Sequence, residues 1–432
     1  FPLISARFFG HPAAQEDGVK LEPVDQTQSD AAAKLFRRRV FYIPGYDPIH
    51  PRRYRELYRR EGAEQAALAG YDLALKPKTT KGPYGWHVSA KVEGARVEAD
   101  VEVLVWSDIV RGSMSNSIPA TYLQLVRTAW AYIGSGALFR LMRLRKGPMI
   151  AALYPIVFLI LQLLLCLVLG GVVAGLAAEY LHWSVGILAF GLIVAGGLRW
   201  FRAKDNKVFA WYLMHDYAYS AQSKGANPPD LEARMSDFCK QIRAALDQGF
   251  DEVLVVGHSS GAHLGVSILA DLIRQGLPAQ CPALSFLSLG QVVPMVSFLP
   301  EAKRLRADLR YLSARAELTW VDVTAPGDGC AFALCDPVSV SGMAPQGKRW
   351  PLVISAAFTR TLSPAKWQAL RRRWFRLHFQ YLCAFDALTG APGEYDYFRV
   401  TAGPLTLGER FAGRTPSKSR IEKPVNGFTS VA

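Results

Sequence analysis

The chain has 432 residues, room for one big domain or two ordinary ones, with 50% hydrophobic and 20% charged residues. That balance excludes a disordered chain and suits a globular protein carrying an extra apolar segment. The formal net charge of +14 calls for an anionic partner, and the placement of the charges decides between nucleic acid and a membrane face.

Residues 1–34 are rich in Pro, Gln, Asp and Ala and read as a poorly ordered arm. Their start, FPLISARFFG, lacks the long apolar core and cleavage site of a signal peptide. Residues 35–147 read as the first part of an α/β domain. RRRVFYIPGY predicts a strand over Val40–Ile43 that breaks at Pro44-Gly45, and PRRYRELYRREGAEQAALAG predicts a helix. Alternation predicts strands over Trp86–Val92 and Val97–Trp106, turning at Glu93-Gly94, and Pro119–Arg145 reads as helix.

A two-helix hairpin is expected over residues 148–201. No charge falls between Met149 and Ala178, and a second apolar run covers Leu181–Trp200. Spanning a bilayer takes about 20 such residues. Arg140, Arg143, Arg145 and Lys146 precede the first run, whereas Arg199, Arg202, Lys204 and Lys207 end or follow the second. The connecting loop has no Lys or Arg, which predicts both ends on the cytoplasmic side of a bacterial-type inner membrane. Tyr180, Trp183, Trp200 and Phe201 stand where an aromatic belt would. Charge bracketing an apolar hairpin makes the lipid bilayer the expected partner. No nucleic-acid motif is present, and no nucleic acid is expected. The Gly-rich second run also suits contact with another membrane protein.

Residues 202–407 read as the second part of the domain. LEARMSDFCKQIRAALDQGF predicts a helix ending at Gly249. DEVLVVGHSSGAHLGVSILADL predicts a strand, a turn and a helix, and further strands are expected over Leu284–Leu289, Leu318–Val323 and Leu352–Ala356. Strands alternating with helices predict a mostly parallel sheet with helices on both faces. The hairpin is then an insertion within one domain. Residues 408–432 read as a basic, mobile tail. The six cysteines show no paired ladder or CxxC, which predicts buried thiols in a reducing compartment, and nothing calls for a metal or organic cofactor.

Gly257-His258-Ser259-Ser260-Gly261 is G-x-S-x-G, preceded by the strand VLVV and followed by a small-residue helix. That is the context of a nucleophile elbow, in which a sharp strand-to-helix turn raises the serine above the sheet. Here the chain resembles the α/β-hydrolase superfamily over most of residues 36–400, apart from the hairpin. The resemblance implies a Ser, acid, His triad in that chain order. Only His263 and His378 follow Ser259. His263 lies four residues on, in the elbow's own helix, so the order selects His378 in RWFRLHFQYL. For the acid, Asp328 at the end of LTWVDVTAPGDG is preferred to Asp322 within the strand, with Asp336 third. An Asx turn is the structural alternative for Asp328, and a buried pairing with an arginine that for Asp322.

The resemblance further implies an oxyanion hole from the backbone N–H of Ser260 and of a residue after an early strand, here Tyr46. That loop reads Pro44-Gly45 rather than the usual His-Gly, and His378 stands in a stretch that reads as helix. His258 is expected beneath the elbow, Asp47 and His50 in a turn, and Phe375, Phe379 and Tyr381 in the core. Arg371–Arg373 suit either lipid headgroups or solvent. The expected activity is a membrane-anchored serine hydrolase cleaving an ester, thioester or amide of an amphiphile, with acyl transfer chemically close. The alternative is a non-catalytic scaffold or accessory subunit that keeps the fold.

Overall fold

The computed structural model describes residues 35–114 and 117–432; the expected N-terminal arm lies outside them. One eight-stranded sheet organises the body. Its strands are β1 (Phe36–Ile43), β2 (Asp72–Pro77), β3 (Gly85–Val92), β4 (Ala95–Val103), β5 (Glu252–His258), β6 (Ala283–Leu289), β7 (Leu318–Thr324) and β8 (Leu352–Ser355), in the order β2-β3-β4-β1-β5-β6-β7-β8. From β4 to β8 along that order the strands run parallel, while β2, β3 and β4 form an antiparallel meander. Among the helices are α1 (Arg52–Ala69), α2 (Ile118–Gly134), α3 (Lys146–Tyr180), α4 (Trp183–Ala203), α5 (Ala210–Gln222), α6 (Pro229–Leu246) and α7 (Gly261–Arg274).

The central strands show why the sheet is covered twice. Every residue of β5, EVLVVGH, is buried, as expected of a strand with helices on both faces. In β1, Val40 and Tyr42 pack with Tyr54, Leu57 and Tyr58 of α1. Phe41 and Ile43 face the other way, toward Phe238 and Ile242 of α6 and Leu264 and Ile268 of α7. From β1 the chain builds β2 to β4 on one side and then returns to β5 on the other. Such a reversal opens a crevice at the carboxyl ends of the strands.

One strand goes beyond the expectations and two expectations need correction. DLALKP forms edge strand β2, whose mostly exposed pattern hides the usual alternation signal. The helix expected over Pro119–Arg145 breaks after Gly134, and a short helix, Ala137–Met142, restarts beyond Gly136, whose φ is 71°. The tail is laid on the body: Ile421 bridges to Cys335, and Ser417 N donates to Val353 O at 2.9 Å.

Helices α3 and α4 pair antiparallel and are long and apolar enough to cross a membrane. At 35 residues, α3 extends about 52 Å at 1.5 Å per residue. A Cβ on Gly186 would stand 2.6 Å from Ala174 O, and one on Gly197 would stand 2.6 Å from Cys166 Sγ. These glycines set the closeness of the pair. At its root, α3 docks on the loop after β7. A Cβ on Gly147 would be 3.1 Å from Gly329 Cα, and Arg145 Nε donates to Ala333 O at 2.7 Å.

Candidate active site

The turn between β5 and α7 is sterically exacting. Ser259 sits at φ 56°, a left-handed conformation that costs a non-glycine residue about 1–3 kcal/mol. The surroundings hold it there. A Cβ on Gly261 would lie 2.1 Å from Ile43 O, and one on Gly257 would lie 2.7 Å from Gly261 O. Ser259 N donates to Leu289 O at 2.9 Å, which ties the turn to the end of β6. The loop after β1 approaches from the other side, where a Cβ on Gly45 would stand 3.4 Å from Ser259 Oγ. Ser259 is only partly buried.

Asp328 follows β7 and is buried. Its Oδ1 accepts from Cys330 N at 2.9 Å, an Asx turn, while Oδ2 meets His378 Nδ1 at 2.7 Å and accepts from Tyr381 Oη at 3.0 Å. The Asx turn and the histidine contact therefore coexist on one carboxylate. Burial alone would raise its pKa, but the His378 charge and these hydrogen bonds outweigh burial and hold the carboxyl below its ordinary value. An ionised Asp328 fixes the hydrogen on Nδ1, leaving Nε2 with a lone pair. That Nε2 is buried and has no hydrogen-bond partner among the described residues.

His378 lies over the elbow side of the sheet. Its backbone O takes a hydrogen bond from His258 Nε2 at 3.0 Å, and the two rings are 4.8 Å apart. A Cβ on Gly290, directly after Leu289, would come within 3.0 Å of His378 Cε1. Ser259 Oγ and His378 Nε2 thus converge on the same strand ends without a hydrogen bond between them. Ser260 lies at the N-cap of α7, where backbone N–H groups favour negative charge. Tyr46 is buried beside the Gly45 loop, its hydroxyl 2.6 Å from Ser113 Oγ and its carbonyl accepting from Tyr212 Oη at 2.5 Å.

The other acids separate cleanly. Asp322 is fully buried and accepts from Ser288 Oγ at 2.6 Å, with no arginine beside it among the described residues. The arginine pairing that was its structural alternative is not formed among the described residues, where Ser288 supplies the hydrogen bond instead. Burial pushes the Asp322 carboxyl up to about 8 against the opposing Ser288 bond, so it keeps its proton at neutral pH. Asp336 caps a short helix through Val338 N and Ser339 N and pairs with Lys348 at 2.5 Å. His263 is buried on α7, and burial lowers its pKa to about 4. Asp47 and His50 each accept from a backbone N–H two residues on.

Three residues near the site carry more than their sequence context shows. Tyr381 accepts from Ala325 N at 2.9 Å while donating to Asp328, so it braces the acid loop. His258 holds the His378 backbone. Asp216 on α5 is electrostatically linked to His378, Tyr46 and Cys330, and burial pushes it up to about 7 despite the His378 charge. The only advance signal for His258 was its place inside the elbow motif; Tyr381 and Asp216 carried none.

Asp328, Cys330 and His378 bring ligand-type atoms within 4.8 Å of one another. Burial foremost, then Asp328 and Asp216, drives the Cys330 thiol well above its ordinary pKa. Comparison of the chain with family models, curated proteins and solved structures yields no significant match.

Proposed function

We propose that this protein is a serine hydrolase of the α/β-hydrolase type, held in a membrane by the α3–α4 hairpin with its sheet on the cytoplasmic side. The observation that carries the reading is the buried Asp328–His378 pair, whose free Nε2 stands over the strand ends where Ser259 occupies a strained turn. In this reaction His378 Nε2 takes the Ser259 proton as Oγ attacks an ester carbonyl, and Asp328 stabilises the resulting imidazolium. The backbone N–H groups of Ser260 and Tyr46 receive the oxyanion, each worth about 3–4 kcal/mol in the transition state. The imidazolium then protonates the leaving alcohol. Water, deprotonated by the same nitrogen, releases the acid from the acyl-enzyme. The cytoplasmic orientation rests on the clusters Arg140–Lys146 and Arg199–Lys207 around a connecting loop without Lys or Arg.

The test is covalent labelling of the full-length protein by a fluorophosphonate. Labelling that disappears in Ser259→Ala supports the hydrolase. Folded wild-type protein that takes no label, or labels equally as Ser259→Ala, defeats it in favour of a non-catalytic scaffold.

A further inference from the structure

A cavity of about 580 Å³ lies where the hairpin joins the body, within the roughly 300–1,000 Å³ range of small-molecule sites. Ile150, Ala151 and Tyr154 at the root of α3 form one wall. Val208 and Phe209, after α4, form another, and Phe209 packs on Phe375 with ring centroids 5.8 Å apart. The remaining side is the segment Arg372–Arg376, which leads directly into His378.

Two features give this cavity a direction. Cys330 lines it, and the Cys330 Sγ lies within 4.8 Å of a His378 ring nitrogen and of an Asp328 oxygen. Ser259 and His378 do not line the cavity themselves, so Cys330 marks where it abuts the reacting groups. At its mouth stand Arg372, Arg373 and Arg376 with Lys207, and no carboxylate among the described residues lines the space. Arg372 and Arg373 are exposed, and none of the three arginines has an ion-pair partner among the described residues.

An apolar chamber at the foot of two membrane-type helices, with unpaired guanidinium groups at its rim, matches one chemistry: an acyl chain attached to an anionic phosphate. Guanidinium groups bind phosphate in a bidentate manner, and the cytoplasmic leaflet supplies anionic lipid at this depth. Resting on the hydrolase reading above, we propose that this cavity draws an anionic glycerophospholipid sideways from the bilayer. The arginines hold its phosphate, and an acyl ester is presented past Cys330 to Ser259. Ser259 Oγ bonds to the acyl carbon as the ester C–O bond breaks, and the lysolipid alcohol leaves with the proton from His378. Water then cleaves the acyl-serine, so that one phospholipid and one water give one lysophospholipid and one fatty acid.

The experiment uses full-length protein reconstituted in vesicles of phosphatidylglycerol or of phosphatidylcholine, with fatty-acid release as the readout. The wild type is expected to favour phosphatidylglycerol by about tenfold or more in kcat/KM, equivalent to about 1.4 kcal/mol. The combined variant Arg372→Gln, Arg373→Gln, Arg376→Gln is expected to bring that ratio to near one. Equal wild-type rates on both lipids, or a ratio that survives the triple substitution, overturns the proposal. So does cleavage of a soluble anionic acyl thioester in preference to vesicle lipid. A second arm is independent of catalysis: retention of fluorescent phosphatidylglycerol by detergent-solubilised Ser259→Ala protein, expected to fall about tenfold in the arginine variant. If the fluorophosphonate leaves wild-type Ser259 unlabelled while this retention persists, the hydrolase reading fails and the lipid site stands. Labelling without retention reverses that outcome.

Discussion

The two ends of β1 and β5 treat buried polarity in opposite ways. At their beginnings, charge is neutralised in place. Arg38 bonds Glu252 at 2.5 Å and the carbonyls of Gly403 and Leu405 at 2.7 and 2.5 Å, while Glu252 also accepts from Ser285 Oγ and Leu407 N. At their carboxyl ends, Ser259 is strained, His378 Nε2 has no partner among the described residues, and Asp328 is kept ionised by an imidazole. A polar network that is satisfied fixes the fold. One left incomplete at a crevice is available for chemistry.

The largest effect is expected at the incomplete end. Ser259→Ala and His378→Ala should each lower kcat for ester hydrolysis by on the order of 10⁴–10⁶, with the folded state preserved in thermal melts. Retention of more than a tenth of the rate by either variant would collapse the contrast. Asp328→Asn should cost about 10⁴ in kcat because the imidazole loses its tautomer control, whereas Asp322→Asn should leave labelling near wild type. The reverse pattern would move the acid to Asp322.

At the satisfied end, Arg38→Ala leaves Glu252 charged and fully buried, at an expected cost of about 3–5 kcal/mol in chemical denaturation. The fraction that remains folded should still take the fluorophosphonate label. Loss of labelling in a protein of unchanged stability would show that the two ends are not independent.

The smallest effect concerns pH. Asp322 and Asp216 are pushed up to about 8 and about 7, so below their unfolded value their stabilising preference for the proton is fully present. It is lost as pH rises through that window. His258 and His263 are lowered to about 3 and about 4, by burial first; their contribution is present above the ordinary histidine value and lost as the solution acidifies. Asp322→Asn should therefore flatten the decline of stability between about pH 4 and 8 and leave the acid limb unchanged. Denaturant midpoints across that range check this, and an unaltered slope above neutrality would remove Asp322 from the account.

The elbow was legible because its constraints are local. Gly257, Gly261 and the apolar run before them are all dictated within ten residues of Ser259. The triad order that the resemblance implies points to His378 and to an acid past the strand end, and the structure brings His378 Nδ1 and Asp328 Oδ2 to 2.7 Å. Tyr381 and Asp216 were not legible. One reaches Asp328 across 53 residues, and the other comes within electrostatic range of His378 only because α5 returns from the hairpin to the crevice. Strand β2 was hidden for a different reason: a sheet edge carries Lys76 and Pro77 and buries too little for its pattern to show.

The docking of the α3 root on the loop after β7 has a practical corollary. Excising residues 148–201 to obtain a water-soluble protein would remove Met149 and Ala152, which pack with Phe332 and Cys335 just beyond Asp328. Such a trimmed protein should keep its sheet yet show a loosened Asp328, so the proposed activity is best assayed with the apolar pair intact, in detergent or lipid discs.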